Sequence, residues 1–204
     1  MKKGQYLETI LRSPKTVFNY KDVALLWGEP NSQAVRVRLS YYAKQGKLYR
    51  IRRGLYAKDK NYSKFELATR IFTPSYVSFE TVLSQEGMIF QFYNQIFVAS
   101  YLTREIEVDG QVYSFRRIKD PILTNAVGVE HRNESSVATK ERAFLDTLYL
   151  NEDYHFDNLG ALDWSKVFEI LPIYDNKRMS KKVIMLYQQV TDKDKQHEIG
   201  YLYS

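Results

Sequence analysis

The chain has 204 residues, enough for one large domain or two small ones. With 44% hydrophobic residues, 17 Tyr and 11 Phe it can fill a core, which argues against disorder, and the absence of cysteine excludes disulfides, thiolate metal sites and cysteine nucleophiles. The net charge of +6 is uneven: residues 1–60 carry 14 Lys+Arg against 4 Asp+Glu, a balance of +10, and residues 61–204 carry 16 against 20, a balance of −4. Such asymmetry suggests that one segment faces a polyanion while the remainder does something else.

The opening MKKGQYLETILRS has two lysines but no apolar run behind them, so it does not read as a signal peptide. No stretch of 18 apolar residues occurs, so no membrane association is expected, and the reading is of a soluble, cytoplasmic protein. Leu7, Ile10 and Leu11 at helical spacing predict a helix over residues 4–12, stopped at Ser13-Pro14. Residues 17–20 read as a small strand. Val23, Leu26 and Trp27 predict a helix over 21–27, ended by the turn Gly28-Glu29-Pro30-Asn31. Ser32 is expected to cap the next helix, which runs to about residue 45 with Gly46 as its left-handed closing residue. Residues 47–51 and 55–57 read as strands joined at Arg52-Arg53-Gly54. Helix, helix, turn, helix and two-stranded wing is the order of a winged helix-turn-helix domain, expected over residues 1–60. Polar Lys58-Asp59-Lys60-Asn61 marks its boundary with a second domain, 61–204.

In that second part residues 64–72 and 81–86 read as helices and 95–101 as a strand. Residues 105–108 and 112–116 flank Asp109-Gly110, a hairpin signal because both turn residues tolerate positive φ. A strand at 127–131, a helix at 139–150, and helices at 164–171 and 180–190 complete a mixed α+β domain. The fold class expected for the whole chain is therefore α+β.

Function is read first from residues 32–57, SQAVRVRLSYYAKQGKLYRIRRGLYA, which contain no acid. On a helical wheel Val35, Leu39, Tyr42 and Ala43 share the inward face, and Gln33, Arg36, Val37, Ser40 and Lys44 lie opposite. An α-helix fits the major groove of DNA, where Arg reads guanine, Gln reads adenine and small apolar groups touch the thymine methyl. Ser32, Gln33, Arg36 and Val37 are the N-terminal residues that would reach base edges, with Ser40 a turn further on. Arg52 and Arg53 at the wing tip, with Arg50 and Lys47 nearby, would lie over phosphates or enter a minor groove. Arg38 and Tyr41 sit at the margin, where packing and binding are both open. The bland alternative is a winged helix that only packs, its basic face solvated.

AKQGKLYRIRRGLYA (43–57) resembles the end of the winged helix in the AbiEi family of antitoxins, from type IV toxin–antitoxin and abortive-infection systems. PSYVSFETVLSQEGMI (74–89) and SSVATKERAFLDTLYL (135–150) resemble recurring segments of that family's C-terminal part, in the same order. The resemblance spans residues 5–150 and covers the last fifty only loosely. It implies a cytoplasmic bacterial protein that binds double-stranded operator DNA and represses its own operon. It also implies that the C-terminal domain counters a co-encoded nucleotidyltransferase-like toxin, whether or not the two form a stable complex. Arg50, Arg52 and Arg53 are the basic wing positions that carry over from the family.

A catalytic role has little to build on. His131, His155 and His197 are widely spaced, without a ligand pair, and no phosphate-cradling glycine loop or Gly-x-Ser-x-Gly occurs. Asp192-Lys193-Asp194 has alternating acids but reads as a solvated face. Glu141 and Asp146, five residues apart on one helix, fall on different faces and do not make a general acid/base pair. No cofactor and no metal is expected. Lys177, Arg178, Lys181 and Lys182 cluster at the start of the final helix, a candidate surface for the toxin or a second stretch of DNA. Besides the antitoxin, two other classes fit the sequence: a stand-alone transcription factor whose α+β domain senses a ligand or dimerises, and an enzyme whose winged helix mediates protein contacts.

Overall fold

The structure is a computed structural model that describes residues 5–202, with side chains from residue 5 to residue 192. Its first part comprises α1 (Gln5–Arg12), β1 (Val17–Asn19), α2 (Tyr20–Trp27), α3 (Ser32–Lys44), β2 (Tyr49–Arg52) and β3 (Leu55–Ala57). β1 stops one residue earlier than the sequence pattern suggests because Asn19 caps α2. Its side chain accepts from the Lys21 and Asp22 N–H groups while the Asp22 carboxylate accepts from the Asn19 N–H. Gly28 closes α2 in the left-handed region at φ 60°. Asn31, and not Ser32, caps α3. Its extended backbone lets the side-chain oxygen accept from Gln33 N at 3.0 Å and Ala34 N at 3.1 Å, which leaves Ser32 as the first helical residue. Gly46, at φ 68°, follows the end of α3 as expected.

The three strands pair in the order β1-β3-β2, all antiparallel. Alternation along them sends side chains to two apolar environments. Phe18 and Tyr56 face the helices and join Ile10, Val23, Trp27, Val35, Leu39 and Tyr42. Val17, Ile51, Leu55 and Ala57 face the other way, into the cluster that contains Leu67 and Ala68 of α4 (Lys64–Ile71). The small sheet is thus buried on both sides, and the expected boundary at residues 58–61 is a boundary in the chain across which the apolar core continues.

The second part continues with β4 (Ser75–Val77), α5 (Glu80–Gln85), β5 (Ile96–Ser100), β6 (Arg104–Val108), β7 (Gln111–Arg117), α6 (Asp120–Leu123), β8 (Val129–Arg132), β9 (Ser135–Ala138), α7 (Lys140–Leu150) and α8 (Trp164–Ile170). A 3-10 turn, Leu171–Tyr174, leads into α9 (Lys177–Leu202). Six strands form one mixed sheet in the order β6-β7-β5-β4-β9-β8, and the whole molecule is α+β. The Asp109-Gly110 turn has positive φ at both residues, 50° and 76°, as the hairpin requires. α9 begins three residues before the pattern suggests, because the Asn176 side chain accepts from Arg178 N and Met179 N.

Polar contacts tie the two parts. Glu66 of α4, almost fully buried, accepts from Thr16 N at 2.7 Å and Thr16 Oγ1 at 2.6 Å, and Arg70 Nε reaches it at 3.1 Å. Arg70 Nη1 also meets Asp22 at 2.8 Å, so the carboxylate that caps α2 anchors it to α4. Tyr49 of the first part donates to Asp109 at the β6–β7 turn at 2.9 Å, where Tyr62 of the second part also donates at 2.6 Å.

Burial pushes the Asp22 carboxyl up, but the Asn19 N–H, Arg70 and Lys15 outweigh it and hold it below the ordinary value of 3.8. A group depressed on folding contributes stability above its unfolded value and loses it as pH falls through its folded value. Denaturant midpoints should therefore drop on acidification below about pH 4, the ordinary Asp range, and Asp22→Asn should flatten that part of the profile. Identical pH profiles for the two proteins would contradict the anchor.

Candidate nucleic-acid interface

α3 turns Val35, Leu39 and Tyr42 into the core and leaves Ser32, Gln33, Arg36, Val37, Tyr41 and Lys44 exposed, with Ser40 half-buried. Gln33, Arg36, Val37, Ser40, Tyr41 and Lys44 line one open groove on the surface. The Arg36 guanidinium lies 3.7 Å from the ring centroid of Tyr20, the first residue of α2, which fixes its direction without neutralising it. Ser40 Oγ lies 3.4 Å from the Tyr56 hydroxyl, linking the outward face of α3 to β3.

The two margin residues part company. Arg38 stacks 3.7 Å over the Tyr6 ring and 5.5 Å from Trp27, so it packs. Tyr41 is 55% exposed and belongs to the outward face. Tyr20 escaped the sequence reading because it acts on a residue of another helix and no local pattern marks it.

Register sorts the hairpin arginines. Arg50 pairs with Tyr56 and so shares the face of the sheet that looks towards α3. The ladder then shifts at Ile51, setting Arg52 opposite Leu55 on the other face, where it is half-buried. Arg52 Nη1 is shielded from solvent and has no hydrogen-bond partner among the described residues. Arg53 and Gly54 form the exposed turn, with Gly54 at φ 84°, whereas Lys47, also exposed, precedes β2 at the opposite end of the hairpin and does not join the tip.

Residues 32–57 contain seven cations: Arg36, Arg38, Lys44, Lys47, Arg50, Arg52 and Arg53. Among the described residues none of them forms an ion pair. Elsewhere in the first part Arg12 pairs with Glu8 and Lys15 with Asp22. The later basic cluster is different in kind. Arg178 meets Glu152 at 2.7 Å and Lys182 meets Asp153 at 3.6 Å, which leaves Lys177 and Lys181 as its exposed cations outside those pairs.

Among the described residues no three His, Asp or Glu side chains gather as a metal-binding group. His131 and His155 are exposed, Asp192 is exposed, and the side chains of Lys193, Asp194 and His197 lie outside the described residues. Glu141 and Asp146 are both buried but look in different directions, as their spacing implies. Glu141 accepts from Asp163 N at 3.2 Å, ahead of α8, whereas Asp146 faces β4.

Asp146 is the centre of a buried network. It accepts from Ser78 at 2.8 Å, Tyr174 at 2.7 Å, Tyr76 at 3.0 Å and Arg142 Nε at 3.2 Å, with both ion-pair side chains at 0% exposure. Arg142 also donates to the carbonyls of Ile122 and Val127 at 2.7 and 2.6 Å. Burial, together with Asp146, pushes the Tyr76 and Tyr174 phenols well above their ordinary 10.0, so both remain donors. Gly128 passes so close that a Cβ there would lie 2.9 Å from Arg142 Cβ, which admits only glycine. The stretches 74–89 and 135–150 therefore fold against each other, with Val77 of β4 pairing Val137 of β9 and Tyr76 and Ser78 meeting Arg142 and Asp146. Their shared pattern reports a core rather than an exposed site.

No helix among the described residues is long and apolar enough to cross a membrane. In comparisons with known proteins, no family model matches the chain and no curated protein matches it. The resemblance to the AbiEi antitoxins rests on the three quoted segments alone.

Proposed function

We propose that the first part is a winged helix-turn-helix that binds duplex DNA, with α3 in the major groove and the β2–β3 hairpin against phosphates. The observation that carries this reading is the run of seven cations, most of them exposed and none in an ion pair among the described residues, in a segment free of acid. Some cations elsewhere, among them Arg12, Lys15 and Arg178, pair with acids of the chain, whereas this run holds no acid, and the phosphates of DNA are the counter-charge that suits it. The resemblance of residues 43–57, 74–89 and 135–150 extends the reading: a cytoplasmic antitoxin that represses its own operon. In it, residues 61–204 counter a co-encoded nucleotidyltransferase-like toxin.

Readout and positioning are separable by substitution. Arg36→Ala should cost about 1–3 kcal/mol at its preferred base and change binding to unrelated sequence less. Arg50→Ala with Arg53→Ala should weaken matched and scrambled duplexes alike, because phosphate contacts carry no sequence information. Titrations of both variants against the duplex upstream of the gene and a scrambled control decide the matter. Equal losses on both duplexes for Arg36→Ala would overturn its assignment to a base.

A further inference from the structure

Which base pairs does the outward face of α3 suit? The answer rests on the DNA-binding reading and supplies what that reading leaves open. Along the helix Gln33, Val37, Ser40 and Lys44 form the central line, with Arg36 on one flank and Tyr41 on the other. Two of these residues have contacts within the protein: the Arg36 guanidinium, assigned above to a base, sits over the Tyr20 ring, and the Ser40 hydroxyl is turned towards Tyr56. Among the described residues, the groups at the N-terminal half of the line without a partner are the Gln33 carboxamide and the two methyls of Val37, which is 59% exposed. A largely exposed valine in mid-helix buries little and is a weaker helix former than alanine, so folding gives little reason for it.

We propose that this face takes a major-groove step containing A·T pairs, with Gln33 on adenine and Val37 on the thymine C5-methyl. A side-chain amide matches the adenine N6 donor and N7 acceptor, and an aliphatic side chain is the group that gains from a methyl in the groove floor. Gln33 and Val37 are one turn apart, about 6 Å along the axis, which spans about two base-pair steps. Tyr41, exposed beside Val37, extends the same apolar contact surface towards the C-terminal half.

The test begins with the full chain and a pool of duplexes carrying a randomised core, from which bound sequences are enriched. Each thymine of the enriched duplex is then replaced singly by uracil, which removes the C5-methyl and leaves the pairing edge intact. At one thymine, uracil should weaken the wild-type protein by roughly fourfold, the worth of one buried methyl group. Val37→Ala should bind the thymine and uracil duplexes equally, and Gln33→Ala should lose the preference for adenine within about two steps of that thymine. Both residues are exposed, so the variants should stay folded, which circular dichroism checks. Enriched DNA in which no uracil changes affinity, or a Val37→Ala protein that keeps the full sensitivity, overturns the assignment while leaving DNA binding intact. A pool from which duplexes are retained but no sequence is enriched overturns this inference alone, and a pool from which no duplex is retained overturns the DNA-binding reading with it.

Discussion

Asp146→Ala is expected to lower the stability of the fold by about 3–5 kcal/mol, because it leaves the Arg142 guanidinium buried without its counter-charge. That is a large share of the roughly 5–15 kcal/mol typical of a folded domain, and it should lower the thermal midpoint by on the order of 10 °C. The loss spreads beyond the pair, since Tyr76, Tyr174 and Ser78 are all deprived of their acceptor. Buried ion pairs can often be exchanged for apolar side chains at little cost, but this one carries more than charge. Arg142 also serves the Ile122 and Val127 carbonyls, which no apolar residue can do. Arg142→Met combined with Asp146→Leu should therefore remain destabilised. Thermal and urea melts followed by circular dichroism measure both variants, and wild-type midpoints for the single change would contradict the network's role.

The second large effect concerns division of labour. Arg36, Arg50 and Arg53 are exposed and none forms an ion pair among the described residues, so replacing all three by alanine should leave the fold intact. DNA affinity should fall by roughly a thousandfold, at about tenfold for each charge-assisted hydrogen bond removed. If the antitoxin reading holds, the same variant should still protect cells in which the cognate toxin is expressed from an independent promoter. The full chain is the right vehicle for this test. A fragment cut at residue 60 would expose the face formed by Val17, Leu55 and Ala57, which is buried against the second part. Protection that disappears together with DNA binding, in a protein that remains folded, would end the proposed split between basic head and toxin-countering domain.

Helices with caps, turns with glycine and the three strands of the first part are legible in the sequence, whereas the short buried strands β4 and β9 of the second part are not. α2, α3 and the Asp109-Gly110 hairpin follow from capping side chains, amphipathic spacing and positive-φ residues, all local signals. β4 and β9 span three and four residues, too few to show an alternation, and they are held in place by neighbours across the sheet. The buried Arg142–Asp146 pair was out of reach for a similar reason. Its (i, i+4) spacing is also that of an exposed surface pair, and only the fold shows it enclosed. On the candidate interface, the outward set on α3 could be read from the helical period. The side of the sheet taken by Arg52 could not, because one shifted residue at Ile51 reverses it.

We propose that residues 32–57 carry a basic surface, free of ion pairs among the described residues, for the phosphates of duplex DNA. The most direct test of this claim is the affinity of the full chain for the duplex upstream of its gene, measured by electrophoretic shift at several salt concentrations. Six neutralised phosphates predict a plot of log affinity against log salt with a slope of about −5. A flat plot, or the same slope after Arg36, Arg50 and Arg53 are replaced by alanine, would contradict the claim.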